Sequence, residues 1–237
     1  MSVFDDSVGF VIHSRRYREN SRILELLTRD HGRIALLGRI SAKRGGKEQA
    51  ALQPFQESRF YWRGKSELKN MQSVDAITRI TLNQEASICG LYCNELLLYL
   101  LDKHLPQPEL YDQYKMTLAA LSSGTRLAQS LRAFEMILLD ELGYGLNLDH
   151  DSQTGEVLMR DEEYYFHPEA GVSKMQPEGA VWLVSGAGLA AMRRLDFSDP
   201  QVARMARQML AASLQVQLGN RQLKSRKLMQ SFMKYRT

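Results

Sequence analysis

Fifteen lysines and arginines fall in the first 80 residues against nine carboxylates, and the last 18 residues hold six cations and no acid. Residues 81–219 carry −8, so the net charge of +4 is what remains of two +6 ends and an acidic middle. Arg15, Arg16 and Arg18 close the first apolar run. Arg39, Lys43, Arg44 and Lys47 border or lie within a polar stretch, residues 41–49. Arg59, Arg63, Lys65 and Lys69 surround Gly64-Lys65-Ser66, with Phe55, Phe60, Tyr61 and Trp62 nearby. Cations that neutralise phosphates and rings that stack on bases are the chemistry of single-stranded nucleic-acid binding. For any one of these rings a place in the core is favoured; the charge cluster as a whole points to nucleic acid. Its candidate contacts are Arg15, Arg16, Arg39, Lys43, Arg44, Lys47, Arg63 and Lys65. In the tail they are Lys224, Arg226 and Lys227, on a helix docked through Leu223, Leu228 and Phe232 and basic on its other side.

Other residues with chemical potential do not assemble. Gly186-Ala187-Gly188-Leu189-Ala190-Ala191 after an apolar run matches a dinucleotide fingerprint, but the second parallel strand with its acidic residue does not follow. Ser185 as an N-cap, with small residues for close packing, explains the same letters. Gly46-Lys47 fails as a phosphate loop, because Ser41 stands at the first glycine and Glu48 at the magnesium ligand. Cys89 and Cys93 share a helical face but have no further ligands near them, and read as buried thiols. His13, His31, His104, His150 and His167 are scattered; His150 between Asp149 and Asp151 reads as a solvated turn. No catalytic residue, metal site or cofactor is expected. A dinucleotide-dependent enzyme using Gly186 and Gly188 is the enzymatic alternative.

These residues need elements to hold them. Runs over 8–17, 22–28, 33–40, 52–63 and 67–78 read as five strands, two pairs of them joined as hairpins. Five short strands in some 70 residues fit a small closed barrel, of which the OB-fold is the commonest. From Asn83 the period becomes helical: residues 84–105, 110–122, 127–142, 185–195, 200–218 and 223–234, with a hairpin within 156–172. Gly143 is read as a helix cap. The expectation is an α+β chain: an OB-fold over 1–80, then a helical domain over 81–237 with a small insert at about 147–180. Asp5 and Asp6 near the start argue against an export signal, two cysteines fit a reducing compartment, and no run is long and apolar enough to span a bilayer. The expected location is the cytoplasm.

Four stretches carry a family resemblance: Ala51-Leu52-Gln53-Pro54-Phe55; Gly90-Leu91-Tyr92-Cys93-Asn94-Glu95-Leu96-Leu97; LRAFEMILLDELGYG over 131–145; and Leu223-Lys224-Ser225-Arg226. In this order and at these separations the chain resembles the RecO family of bacterial recombination mediators, over nearly its whole length. The resemblance implies binding to single- and double-stranded DNA and annealing of complementary strands. It implies RecR as partner, and displacement of single-stranded DNA-binding protein (SSB) so that RecA can load. It also implies a binding site in the helical domain for the acidic SSB tail. Arg132, a cation inside an apolar helix, is the candidate for that contact; the alternative is that it pairs with Glu135 or Asp140. Many family members carry four zinc cysteines in the insert. This chain has none there, so no zinc is expected and packing must hold the insert. A generic single-strand binder without a mediator role is the alternative within the binding class.

Overall fold

The computed structural model describes residues 5–39, 46–179 and 181–235, with the side chains of Met233 and Tyr235 left aside. Five strands form a closed barrel: β1 (Asp5–Arg18), β2 (Ser21–Thr28), β3 (Gly32–Arg39), β4 (Glu57–Arg63) and β5 (Leu68–Ala76). Their order is β1-β2-β3-β5-β4, with β3 and β5 parallel and β1 closing antiparallel onto β4. This is the expected OB-type barrel. Alternating residues fill it: Leu24 and Leu26 of β2, Ile34 and Leu36 of β3, Phe60 and Trp62 of β4 are all buried.

Two local expectations change here. The fourth strand begins at Glu57 rather than residue 52. Residues 46–49, expected in a polar loop, belong instead to a short helix, α1 (Gly46–Ala51). Ala51 and Leu52 are apolar enough to join the barrel core, and the Ala51 carbonyl accepts a 2.9 Å bond from Ser58 Oγ. Packing thus takes those residues out of the strand.

Helices follow: α2 (Gln84–Leu100), α3 (Pro108–Ser123), α4 (Leu127–Glu141), α5 (Gly186–Arg193), α6 (Pro200–Leu218) and α7 (Lys224–Tyr235). Asn83 caps α2 by accepting from the Ala86 N–H. The helix stops at Leu100, short of residue 105, where the helical period is read to end. The Leu101 carbonyl accepts from Arg33 Nε at 3.1 Å and the His104 N–H donates to the Arg33 carbonyl at 3.0 Å, so β3 draws the next turn away. Strands β6 (Glu163–His167), β7 (Gly171–Ser173) and β8 (Trp182–Ser185) make a three-stranded sheet, one strand more than the expected hairpin.

The chain divides into two compact units, residues 1–125 with 223–237 and residues 126–222. In the first, the barrel carries α2, α3 and α7. Phe10 of β1 meets Tyr111 and Tyr114 of α3 at ring-centroid distances of 5.4 and 5.1 Å. The buried Glu57 carboxylate accepts from Tyr111 Oη and Lys115 Nζ, each at 2.9 Å. Burial and the Glu57 charge hold the Tyr111 phenol well above its usual range.

Three of the four family stretches meet in this unit. A Cβ on Gly90 would lie 2.6 Å from the Phe55 ring, so glycine lets that ring lie against α2. Farther along α2, the Glu95 carboxylate accepts from the backbone N–H groups of Lys224 (3.0 Å) and Ser225 (2.8 Å) and from the Ser225 hydroxyl. It thereby satisfies donors at the start of α7, 129 and 130 residues away in sequence.

In the second unit α4 packs on α6 and the sheet carries α5. Asp151 holds the insert. Its carboxylate is buried and accepts from the backbone N–H groups of Gln153 (2.8 Å), Thr154 (3.0 Å) and Lys174 (2.6 Å). Burial works to raise its pKa, but these three donors outweigh it and hold the carboxyl below its usual value. The solvated turn read around His150 is therefore, at Asp151, a buried anchor. Among the described residues no three His, Cys, Asp or Glu side chains are grouped to hold a metal.

Candidate nucleic-acid interface

Strand register, which sequence alone does not supply, sets where the barrel cations lie relative to one another. Arg15 pairs with Ile23, Ile23 with Leu37, Leu37 with Asn70 and Asn70 with Arg63, so one row crosses all five strands. In the adjoining rows Arg16 faces Arg22, Ser21 lies between Arg18 and Arg39, and Leu36 pairs with Lys69. Arg15, Arg16, Arg18, Arg22 and Arg39 are exposed and Arg63 is half-buried. Arg22 lies outside the set read from sequence; its membership follows from its place opposite Arg16. Like charges directly opposite one another on a strand pair are destabilising. An anion such as phosphate would relieve that repulsion.

The other expected contacts distribute as follows. Lys65 is exposed in the turn between β4 and β5, and Lys47 is exposed on α1. Lys43 and Arg44 lie outside the described residues. Arg59 is occupied by Asp6, 2.5 Å away. Lys224 and Lys227 are exposed on α7, and the Arg226 guanidinium lies 6.0 Å from the centroid of the Tyr92 ring. Since α7 belongs to the barrel's unit, the cations of both chain ends sit on one compact body.

The rings mostly stay inside. Phe60 and Trp62 have no exposed surface and Phe55 is 9% exposed, whereas Tyr61 is half-buried. Tyr17, missed as a stacking ring by sequence reasoning, is exposed with the Arg18 guanidinium 5.3 Å from its centroid. Its signal was its position among three arginines.

Arg132 on α4 is mostly buried, and its Nη2 donates to the buried Glu135 carboxylate at 2.6 Å. The pairing alternative thus describes its present contact. Its Nε is buried with no hydrogen-bond partner, which leaves one donor for an incoming carboxylate. The glycine-rich stretch at 186–191 is a helix start: Ser185 Oγ accepts from the Gly188 N–H at 3.1 Å. A Cβ on Gly186 would collide with the Met159 carbonyl. Strand β8 before it is antiparallel to β6, not one of a parallel set. Cys89 and Cys93 are buried and not disulfide-bonded.

Comparison with known proteins agrees with this architecture. Residues 1–80 match the family model "Recombination protein O N terminal" and residues 83–227 match "Recombination protein O C terminal". The DNA repair protein RecO of Methylococcus capsulatus is 37% identical over 225 residues, covering 94% of this chain and 92% of that protein. RecO of Pseudomonas putida is 37% identical, covering 93% and 95%, and RecO of Haemophilus influenzae 33%, covering 93% of each. No helix among the described residues is long and apolar enough to cross a membrane. With both halves of the family's model matched in order and relatives aligned over more than nine-tenths of both lengths, the chain belongs to the RecO family of DNA repair proteins.

Proposed function

We propose that this protein is a non-enzymatic recombination mediator of the cytoplasm and nucleoid. It binds single- and double-stranded DNA, anneals complementary strands and, with RecR, helps RecA load onto SSB-coated single strands. The observation that carries the DNA-binding part is the exposed arginine pair Arg16 and Arg22, directly opposite one another on β1 and β2, with Arg15, Arg18 and Arg39 exposed on the same strands and on β3. Arginines held face to face in a sheet suit phosphate. Two strands that repel one another through their phosphates both lose charge on such a surface, so complementary bases can meet.

The acidic SSB tail is assigned to Arg132. A tail carboxylate would take the Nε hydrogen and compete with Glu135 for the rest of the guanidinium. The defining assay is annealing of complementary strands, bare and SSB-coated. Arg15→Gln, Arg16→Gln and Arg39→Gln together should slow annealing of both. Arg132→Gln, which keeps an amide donor for the buried Glu135, should slow only the coated strands. Equal rates for wild type and the triple variant on bare strands would remove the barrel arginines from the site. Equal rates with Arg132→Gln on coated strands, at an unchanged melting temperature, would remove Arg132 from the tail contact.

A further inference from the structure

A groove of about 520 Å³ lies in the first unit between β1, α2 and α7. Its wall on the barrel side depends on an irregularity. The β1–β2 register shifts between Val11 and His13, so Ile12 is an extra residue. Val11 fills the barrel core, while Ile12 and His13 line the groove instead. Leu98 of α2 and Leu228 of α7 add apolar surface, and the Tyr99 ring lies beside them.

At the groove wall sits Asn94, 2% exposed. Tyr114 Oη donates to its Oδ1 at 2.5 Å, but its Nδ2 is buried with no hydrogen-bond partner. A buried amide donor without an acceptor is unfavourable, so it marks a place for an acceptor from outside. The Glu95 carboxylate in the same wall is already occupied by three donors from α7. The rim carries Lys224 and Lys227, and β1 runs from His13 directly to Arg15 and Arg16.

We propose that this groove receives one unpaired nucleobase of single-stranded DNA, whose flanking phosphates lie on Lys224 and Lys227. The inference rests on the DNA-binding reading above and adds to it a reason to prefer single strands. The arginine row neutralises phosphates of either form. A base locked in a duplex, however, must be unstacked and unpaired before it can enter a groove, whereas a single strand offers it at little cost. Apolar walls and flat rings accept any base face, and Asn94 Nδ2 supplies a donor to a base carbonyl. Charge complementarity with Lys224, Lys227 and the neighbouring Arg15 and Arg16 favours a polyanionic chain, with phosphates on both sides of a base between the apolar walls.

The test uses fluorescence anisotropy with the full chain and three labelled probes of equal length: oligo-dT, an abasic oligonucleotide and a mixed-sequence duplex. Wild type should bind oligo-dT about fivefold or more tighter than the abasic strand, the lower end of what one stacked base contributes. Ser231→Trp fills the groove from an exposed position without removing a cation. It should bring oligo-dT down to the abasic level and leave the abasic strand, the duplex and the melting temperature unchanged. Leu228→Ala, which thins one wall, should lower the oligo-dT preference in the same direction. Equal binding of oligo-dT and the abasic strand by wild type overturns the proposal. So does an unchanged preference in Ser231→Trp, or a loss that the duplex shares. An acidic peptide with an apolar C-terminus serves as a fourth probe. If Ser231→Trp abolishes its binding while oligo-dT is unaffected, the groove is a peptide site and the proposal falls. Failure of wild type to bind any DNA would sink the DNA reading itself, whereas binding that ignores the bases sinks only the groove.

Discussion

Replacing Lys224, Arg226 and Lys227 together with glutamine tests whether α7 meets DNA. Glutamine keeps helix propensity close to that of lysine and arginine, so the change is one of charge. Lys224 and Lys227 are exposed, and among the described residues neither ammonium is in an ion pair. Arg226 lies over Tyr92 and is expected to contribute less fully. Each cation that meets a phosphate of a single strand contributes about 0.7 to the slope of log affinity against log salt. Two to three contacts therefore correspond to a slope shallower by about 1.4–2.1. Between about 50 and 200 mM salt, wild type's advantage over the variant should shrink roughly 7- to 20-fold. Anisotropy titrations at four or five salt concentrations give both slopes directly. Glu95 bonds backbone donors and the Ser225 hydroxyl, not the altered side chains, so the melting temperature should hold. Parallel salt plots for the two proteins would refute the reasoning and leave the barrel row as the phosphate site.

Glu95→Ala removes the acceptor for three donors at the start of α7; detachment should cost about 1–2 kcal/mol and appear as faster amide exchange confined to 224–235. Gly90→Ala forces a methyl group against the Phe55 ring and should destabilise the protein by about 1–3 kcal/mol in urea titration; a smaller Phe55→Leu change in the same chain should recover part of it. The Asp151 carboxyl is held below its ordinary value, so its contribution is complete above the unfolded pKa, about 3.9, and is lost as pH falls through the lowered folded value. Amide exchange at 152–174 should therefore stay slow at pH 5 and rise only in stronger acid, whereas in Asp151→Ala it should be fast at every pH. A wild-type insert that loosened near pH 6 would contradict that assignment.

The order of elements is legible from local pattern. The helical period read over 200–218 matches α6 (Pro200–Leu218), and Gly143 ends α4 with its N–H on the Asp140 carbonyl. What resists such reading is set by partners distant in sequence. The Arg33 side chain and carbonyl shorten α2. Barrel packing of Ala51 and Leu52 delays β4. The binding surface shows the same division. A basic N-terminal region is visible as composition, yet the alignment of Arg15 with Arg63 depends on a register running through three intermediate strands. Arg22 and Tyr17 become candidates only once their neighbours are known. Asn94 is one polar letter in an apolar helix, and its unmatched amide nitrogen depends on Tyr114 taking the oxygen.

Because α7 completes the barrel's unit, residues 126–222 form an excursion of roughly a hundred residues within that unit. Synthesis runs in the other direction. The ribosome releases the barrel, α2 and α3 first, then the whole excursion, and α7 only after it. At about 5–20 residues per second the interval is about 5–20 s. Throughout it the nascent barrel unit holds its arginines but lacks Lys224, Lys227 and the α7 wall of the groove. A prematurely terminated chain would resemble that nascent state, with the Glu95 carboxylate left without its α7 donors. The complete basic surface therefore belongs only to chains extended through α7, and the junction of Glu95 with Ser225 forms only after residues 126–222 have been made.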